Sequence, residues 1–149
     1  MSGGALLDVN FLIALFDPDH PHHEAAHDWF DDNHARGWAT CPVTENGFIR
    51  VVANPKYGNE VTQAPVLIER LRKFCASGHH HFWDDAVSFR DERLFNGSLV
   101  RGHRQLTDIY LLGLAAKRGG RLVTFDKKIP LAAVKGAARA VLEVVSATE

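Results

Sequence analysis

Apolar residues in this chain fall either in short solid runs or in stretches recurring every three or four positions, and the two kinds alternate. Ala5-Leu6-Leu7 is a solid run that stops at Asp8, which predicts a buried strand with a carboxylate at its end. From Val9 to Phe16 every position but Asn10 is apolar, which predicts a helix covered on several sides, with Asn10 as its cap. Asp17-Pro18-Asp19-His20-Pro21 breaks the pattern, because proline cannot continue a helix and aspartate favours turns. In the next helix Ala25, Ala26, Trp29 and Phe30 share one face, the acids Glu24, Asp28, Asp31 and Asp32 lie largely elsewhere, and Gly37 closes it. Trp38 to Cys41 predicts a brief strand, and the following helix is expected to be capped by Thr44 and to stop before Pro55, with Glu45 in its first turn.

A loop is predicted from Lys56 to Val61, then a helix with Pro65 in its first turn, a core face of Val66, Leu67, Leu71, Phe74 and Cys75, and an end at Gly78. His79 to Trp83 reads as a strand. Asp84 to Asn96 is irregular, with a short helix around Val87 to Phe89 and a polar loop from Arg90. Thr107 is placed to cap a long helix ending at Gly119-Gly120, followed by a strand from Arg121 to Phe125 that stops at Asp126, and by a last strand from Ala140 to Val145. Strands and helices alternating without an Asn-Gly hairpin signal predict an α/β fold: a central, mostly parallel sheet with helices on both faces.

With 149 residues, 46% of them hydrophobic, the expectation is one domain over residues 1–149 with a sizeable core. Seventeen basic against eighteen acidic side chains give a net charge of -1, so any contact with a polyanion has to be local. Cys41 and Cys75 are far apart and form no Cys-x-x-Cys pair, which points to reduced thiols rather than a disulfide framework or a thiolate zinc site. No basic leader and no membrane-length apolar run is present, so a soluble, cytoplasmic chain without a membrane partner is expected.

The candidate chemistry lies in four acids. Asp8 and Asp126 end strands; Glu45 and Asp108 begin helices that follow loops. In a parallel sheet those positions share one edge, where open α/β sheets hold ligands. Taken singly each acid has a local explanation, since a helix's first turn favours negative charge and a strand-end aspartate can start a turn. Jointly they describe a site. Two carboxylates about 4 Å apart repel by roughly 4 kcal/mol at an effective dielectric near 20. A converging set must therefore take up protons or bind a cation. All-oxygen donors suit Mg²⁺ or Mn²⁺, which generate hydroxide from water and neutralise a phosphodiester in its transition state. Asn10, Thr107 and Thr124 are placed to hydrogen-bond the carboxylates or the attacking water, and Arg104, Lys127 and Lys128 to hold phosphates. Capping, strand propensity and surface solvation account for these six as well.

Three other signals are set aside. His23 and His27 share a helix face at i, i+4, but no third zinc ligand accompanies them and no Glu stands in the metalloprotease position. Trp29, Trp38 and Trp83 belong to elements whose apolar faces need filling. A paired-aspartate phosphatase would require Asp where Asn10 stands.

The segments Leu-Leu-Asp8-Val-Asn10, Val-Thr44-Glu45-Asn-Gly-Phe, Gly-His-Arg-Gln-Leu-Thr107-Asp108-Ile-Tyr-Leu-Leu and Leu-Val-Thr124-Phe-Asp126 resemble, in order, the PIN-domain ribonucleases, specifically the VapC toxins of bacterial toxin-antitoxin pairs. The resemblance runs from about Ala5 to Asp126; residues 84–101 carry no motif that aligns. It implies a three-layer α/β/α sandwich, a Mg²⁺- or Mn²⁺-dependent endoribonuclease, a homodimer, and inhibition by a cognate VapB antitoxin. Carried over by position, Asp8, Glu45, Asp108 and Asp126 are the acidic quartet, catalytic and metal-binding, with Thr124 beside the last. Two alternatives stay open: a catalytically silent module that binds RNA or antitoxin, and a small-molecule phosphohydrolase using the same acids.

Overall fold

The computed structural model describes residues 4–58 and 61–146. Five strands, β1 (Ala5–Leu7), β2 (Trp38–Thr40), β3 (His80–Phe82), β4 (Arg121–Thr124) and β5 (Leu142–Val144), form one sheet in the order β3-β2-β1-β4-β5. Every pairing is parallel, so the sheet is more uniform than the mostly parallel one expected. Among the described residues five α-helices connect and cover it: α1 (Val9–Phe16), α2 (His23–Asn33), α3 (Pro42–Ala53), α4 (Ala64–Cys75) and α5 (Leu106–Lys117).

Strand alternation divides the core in two. Leu6, Ala39 and Leu122 pack under α5, whose Ile109, Leu111, Leu112, Leu114 and Ala115 are all buried. Ala5, Leu7, Trp38 and Val123 point the other way, onto Phe11, Leu12, Trp29, Phe48 and Leu67 from α1 to α4. The result is three layers, α/β/α. Among the described residues no helix is long and apolar enough to cross a membrane.

The structure corrects several local expectations. Asp8, not Asn10, caps α1: its carboxylate accepts from Val9 N at 2.7 Å, and Asn10 lies inside the helix. Helix α3 starts at Pro42 with Cys41 as cap, because proline suits a first helical position; Thr44 sits three residues in, and its hydroxyl accepts from Cys41 N at 2.9 Å. Thr107 does not cap α5, since a 3-10 turn over His103–Gln105 runs straight into Leu106. Val66 is 44% exposed rather than part of the core. No helix forms around Val87 to Phe89; the segment is held by local turns, and Phe95 bridges to Val134. The predicted loop at 56–61 lies in part outside the described residues.

One glycine is fixed by packing. The Phe95 ring lies against α5 where Gly113 has no side chain, and a Cβ there would come within 2.3 Å of it. Gly113→Ala should therefore destabilise the protein despite better helix propensity. Overpacking near the top of its usual range, about 3 kcal/mol, outweighs roughly 1 kcal/mol of propensity, for a net loss of about 2 kcal/mol. Urea unfolding checks the value, and Phe95→Leu in the same chain should restore most of it.

Candidate active site

Because β1 and β4 are neighbours and parallel, their carboxyl ends open on the same edge, which is also where α3 and α5 begin. Asp8 follows β1 and is buried, 2% exposed. Asp126 lies two residues beyond the end of β4, and Asp108 in the first turn of α5.

Thr124, fully buried, organises the group. Its hydroxyl donates to Asp8 Oδ2 at 2.8 Å and accepts from Asn10 Nδ2 at 3.2 Å and from Asp126 N at 3.1 Å. Asn10 Oδ1 also faces Phe125 N at 3.4 Å. Asn10 thus serves as a clamp between α1 and β4, and Thr124 holds two of the three aspartates in register.

Burial and neighbouring charge both act on Asp8 and Asp108. Burial raises the Asp108 carboxyl to about 7, with the charges of Asp8 and Asp126 and a hydrogen bond to Asp126 adding to the shift. Burial also raises Asp8; the hydrogen bonds from Thr124 and Val9 N oppose that shift, and the charge of Asp126 adds to it.

Glu45 stands apart. Its Oε2 accepts from Thr40 Oγ1 at 2.7 Å, and its charge helps to raise the Cys75 thiol. The two hydroxyls lie on opposite sheet faces: Thr124 shares a face with Leu122, whereas Thr40 shares the other with Trp38. The same edge is reached from its other side. Sequence reading did not single out Thr40; a buried hydroxyl ending β2, five residues before the acid, was the available signal.

Of the other candidates, Thr107 is exposed and lines a cavity of about 290 Å³ with Val43, Asp85, Phe89, Leu106 and Tyr110, away from the aspartate hydrogen bonds. Arg104, Lys127 and Lys128 are exposed and free of ion pairs among the described residues; Lys128 touches the site through its backbone N, 2.8 Å from Asp126 Oδ1. His23 and His27 are anchored to the end of α1, at 2.7 Å from Ala14 O and 2.9 Å from Leu15 O.

Fold and site together define a parallel α/β protein with clustered carboxylates at the carboxyl edge of its sheet. The chain belongs to the PIN domain family, whose model matches residues 5–135. It is 44% identical over 135 residues to ribonuclease VapC44 of Mycobacterium tuberculosis, covering 91% of this chain and 94% of that protein. Ribonuclease VapC39 of the same organism is 42% identical over 132 residues (89% and 95%), and ribonuclease VapC38 is 47% identical over 125 (82% and 84%).

Proposed function

We propose that the protein is a metal-dependent endoribonuclease, the toxin of a type II toxin-antitoxin pair, and that Asp8, Asp108 and Asp126 form its catalytic centre. The observation that carries the reading is one buried hydroxyl, Thr124 Oγ1, joining Asp8 and Asp126 at the carboxyl edge of the sheet, with Asp108, raised to about 7 first by burial and then by the charges of Asp8 and Asp126, coupled to them. Family membership and the ribonuclease relatives support the same activity.

The all-oxygen chemistry of these side chains suits a hard divalent cation, Mg²⁺ or Mn²⁺, which Asp8, Asp108 and Asp126 would hold. When bound, such an ion supplies activated water and charge neutralisation at the phosphodiester. The chain's own residues set the stage. Thr124 fixes the direction of the Asp8 carboxylate, Asn10 fixes Thr124, and the backbone N of Lys128 fixes Asp126. Arg104, Lys127 and Lys128, exposed near the edge, meet the RNA backbone. Glu45 is the fourth acid, entering the shell only when its side chain turns away from Thr40. A VapB-type antitoxin, a homodimeric assembly and a cytoplasmic setting complete the proposal.

The test is incubation of purified protein with RNA and Mg²⁺ or Mn²⁺. The expected result is endonucleolytic products with the parent chain and none with Asp8→Asn. Metal-independent binding of RNA without products would instead mark a silent binding module, and turnover of small phosphate esters alone a phosphohydrolase. Because Glu45 is bonded to Thr40, Glu45→Gln should be the milder lesion, lowering cleavage roughly tenfold, as loss of a supporting group does. Equal losses in Glu45→Gln and Asp8→Asn, measured by initial rates, would place Glu45 inside the primary shell.

A further inference from the structure

The turn from α4 to β3 gathers three side chains of different chemistry outside the aspartate pocket. Cys75 is the last residue of α4 and His80 the first of β3. Between them the chain reverses through Gly78 at φ 120° and His79 at φ 64°, the one non-glycine residue in the left-handed region among those described. Glu45 approaches from the first turn of α3. One ligand atom from each of Glu45, Cys75 and His80 lies within 4.8 Å of the other two, and all three residues are half-buried. The Thr40 hydroxyl sits between two of them, 2.7 Å from Glu45 Oε2 and 2.8 Å from His80 Nε2.

We propose that Glu45, Cys75 and His80 form a site for a borderline-soft divalent cation of the zinc type, beside the aspartate pocket and sharing Glu45 with it. A thiolate, an imidazole and a carboxylate from three separate elements make a zinc donor set with one position left open for water. The sulfur selects such an ion over Mg²⁺, which prefers oxygen. Tetrahedral bonds of about 2.0 to 2.3 Å put donor atoms roughly 3.3 to 3.7 Å apart. Closing on the ion from the present spacing requires shifts on the order of 1 Å, within the reach of side-chain rotation. Uptake releases the Cys75 thiol proton to solvent, and where the ion takes His80 Nε2 the ring proton now donated to Thr40 Oγ1 moves to Nδ1. Thr40 remains bonded to Glu45 and orients its carboxylate.

The site stands on the geometry of the turn, whether or not the chain cleaves RNA. Its consequence for activity rests on the nuclease reading: an ion seated here holds Glu45 on the Thr40 side and keeps it from the aspartates.

Titration of the reduced, metal-free protein with Co²⁺ tests the site directly. One equivalent should produce a thiolate-to-cobalt charge-transfer band in the near ultraviolet, discharged by Zn²⁺. The band should vanish in Cys75→Ser, persist in Cys41→Ser, and require at least roughly tenfold more Co²⁺ in His80→Gln. In the unaltered chain, Zn²⁺ should shield Cys75 from iodoacetamide, read by peptide mass. No band, a band surviving Cys75→Ser, or alkylation of Cys75 indifferent to zinc would overturn the site. Zinc should also slow Mg²⁺-supported RNA cleavage by the parent and spare Cys75→Ser. Parental cleavage that ignores zinc while the band forms would overturn the sharing of Glu45.

Discussion

Asp108→Asn should all but abolish RNA cleavage while making the metal-free protein more stable. The substitution keeps the size of the side chain and removes one of three negative charges. Loss of about 3 kcal/mol of transition-state stabilisation through a weakened cation site corresponds to roughly a 100-fold fall in rate. Stability moves the other way, because the protein no longer buries an ionised carboxylate there and the charges of Asp8 and Asp126 no longer press on it. The gain is expected at pH 8, where Asp108 is ionised, and should fade at pH 5, where the parent already carries a proton there. Thermal unfolding at the two pH values reads this difference. A lower melting temperature at pH 8 would show that Asp108 serves chiefly as an acid in the first turn of α5, favoured by the helix dipole.

The second large effect is a pH-dependent stabilisation by Mg²⁺ or Mn²⁺. The Asp108 carboxyl is raised from its ordinary 3.8 to about 7 in the folded protein, so between those values the folded state binds more protons than the unfolded one. Stability of the metal-free protein therefore falls as pH rises through that window and levels off above it. The raised Asp8 carboxyl acts in the same sense. A cation reverses the slope by taking the place of the proton. At one hundred times its dissociation constant it stabilises by about 2.7 kcal/mol, and its affinity grows as Asp108 ionises. Urea unfolding with and without the ion at pH 5 and pH 8 measures both halves. Stabilisation equal at the two pH values would separate the ion from Asp108.

Much of this was legible in the chain because the signals were local. A strand that ends on Asp8, helices that open on Glu45 and Asp108, and a strand that runs out at Asp126 are all marked by sharp apolar-to-polar boundaries. The caps were harder. Asp8 and Asn10 are both good capping residues two positions apart, and only the backbone decides which one stands outside the first turn. Thr107 and Thr44 were misplaced for the same reason: a 3-10 turn and a Cys41-Pro42 start shift the helix caps by two and three residues. Val66 fell outside the core because periodicity marks an apolar stripe without saying how far neighbouring layers extend over it.

The sequence by itself determined the layered α/β architecture and the edge to which the four acids belong, since both follow from apolar periodicity and from the geometry of parallel strands. Only the tertiary structure decided how those acids divide. Asp8 and Asp126 are tied to Thr124 and Asp108 is coupled to Asp126, while Glu45 bonds to Thr40 and meets Cys75 and His80, thirty or more residues away along the chain. Strand order sets which residues meet and strand parity sets which face they meet on, and both depend on long-range pairing that no local pattern encodes.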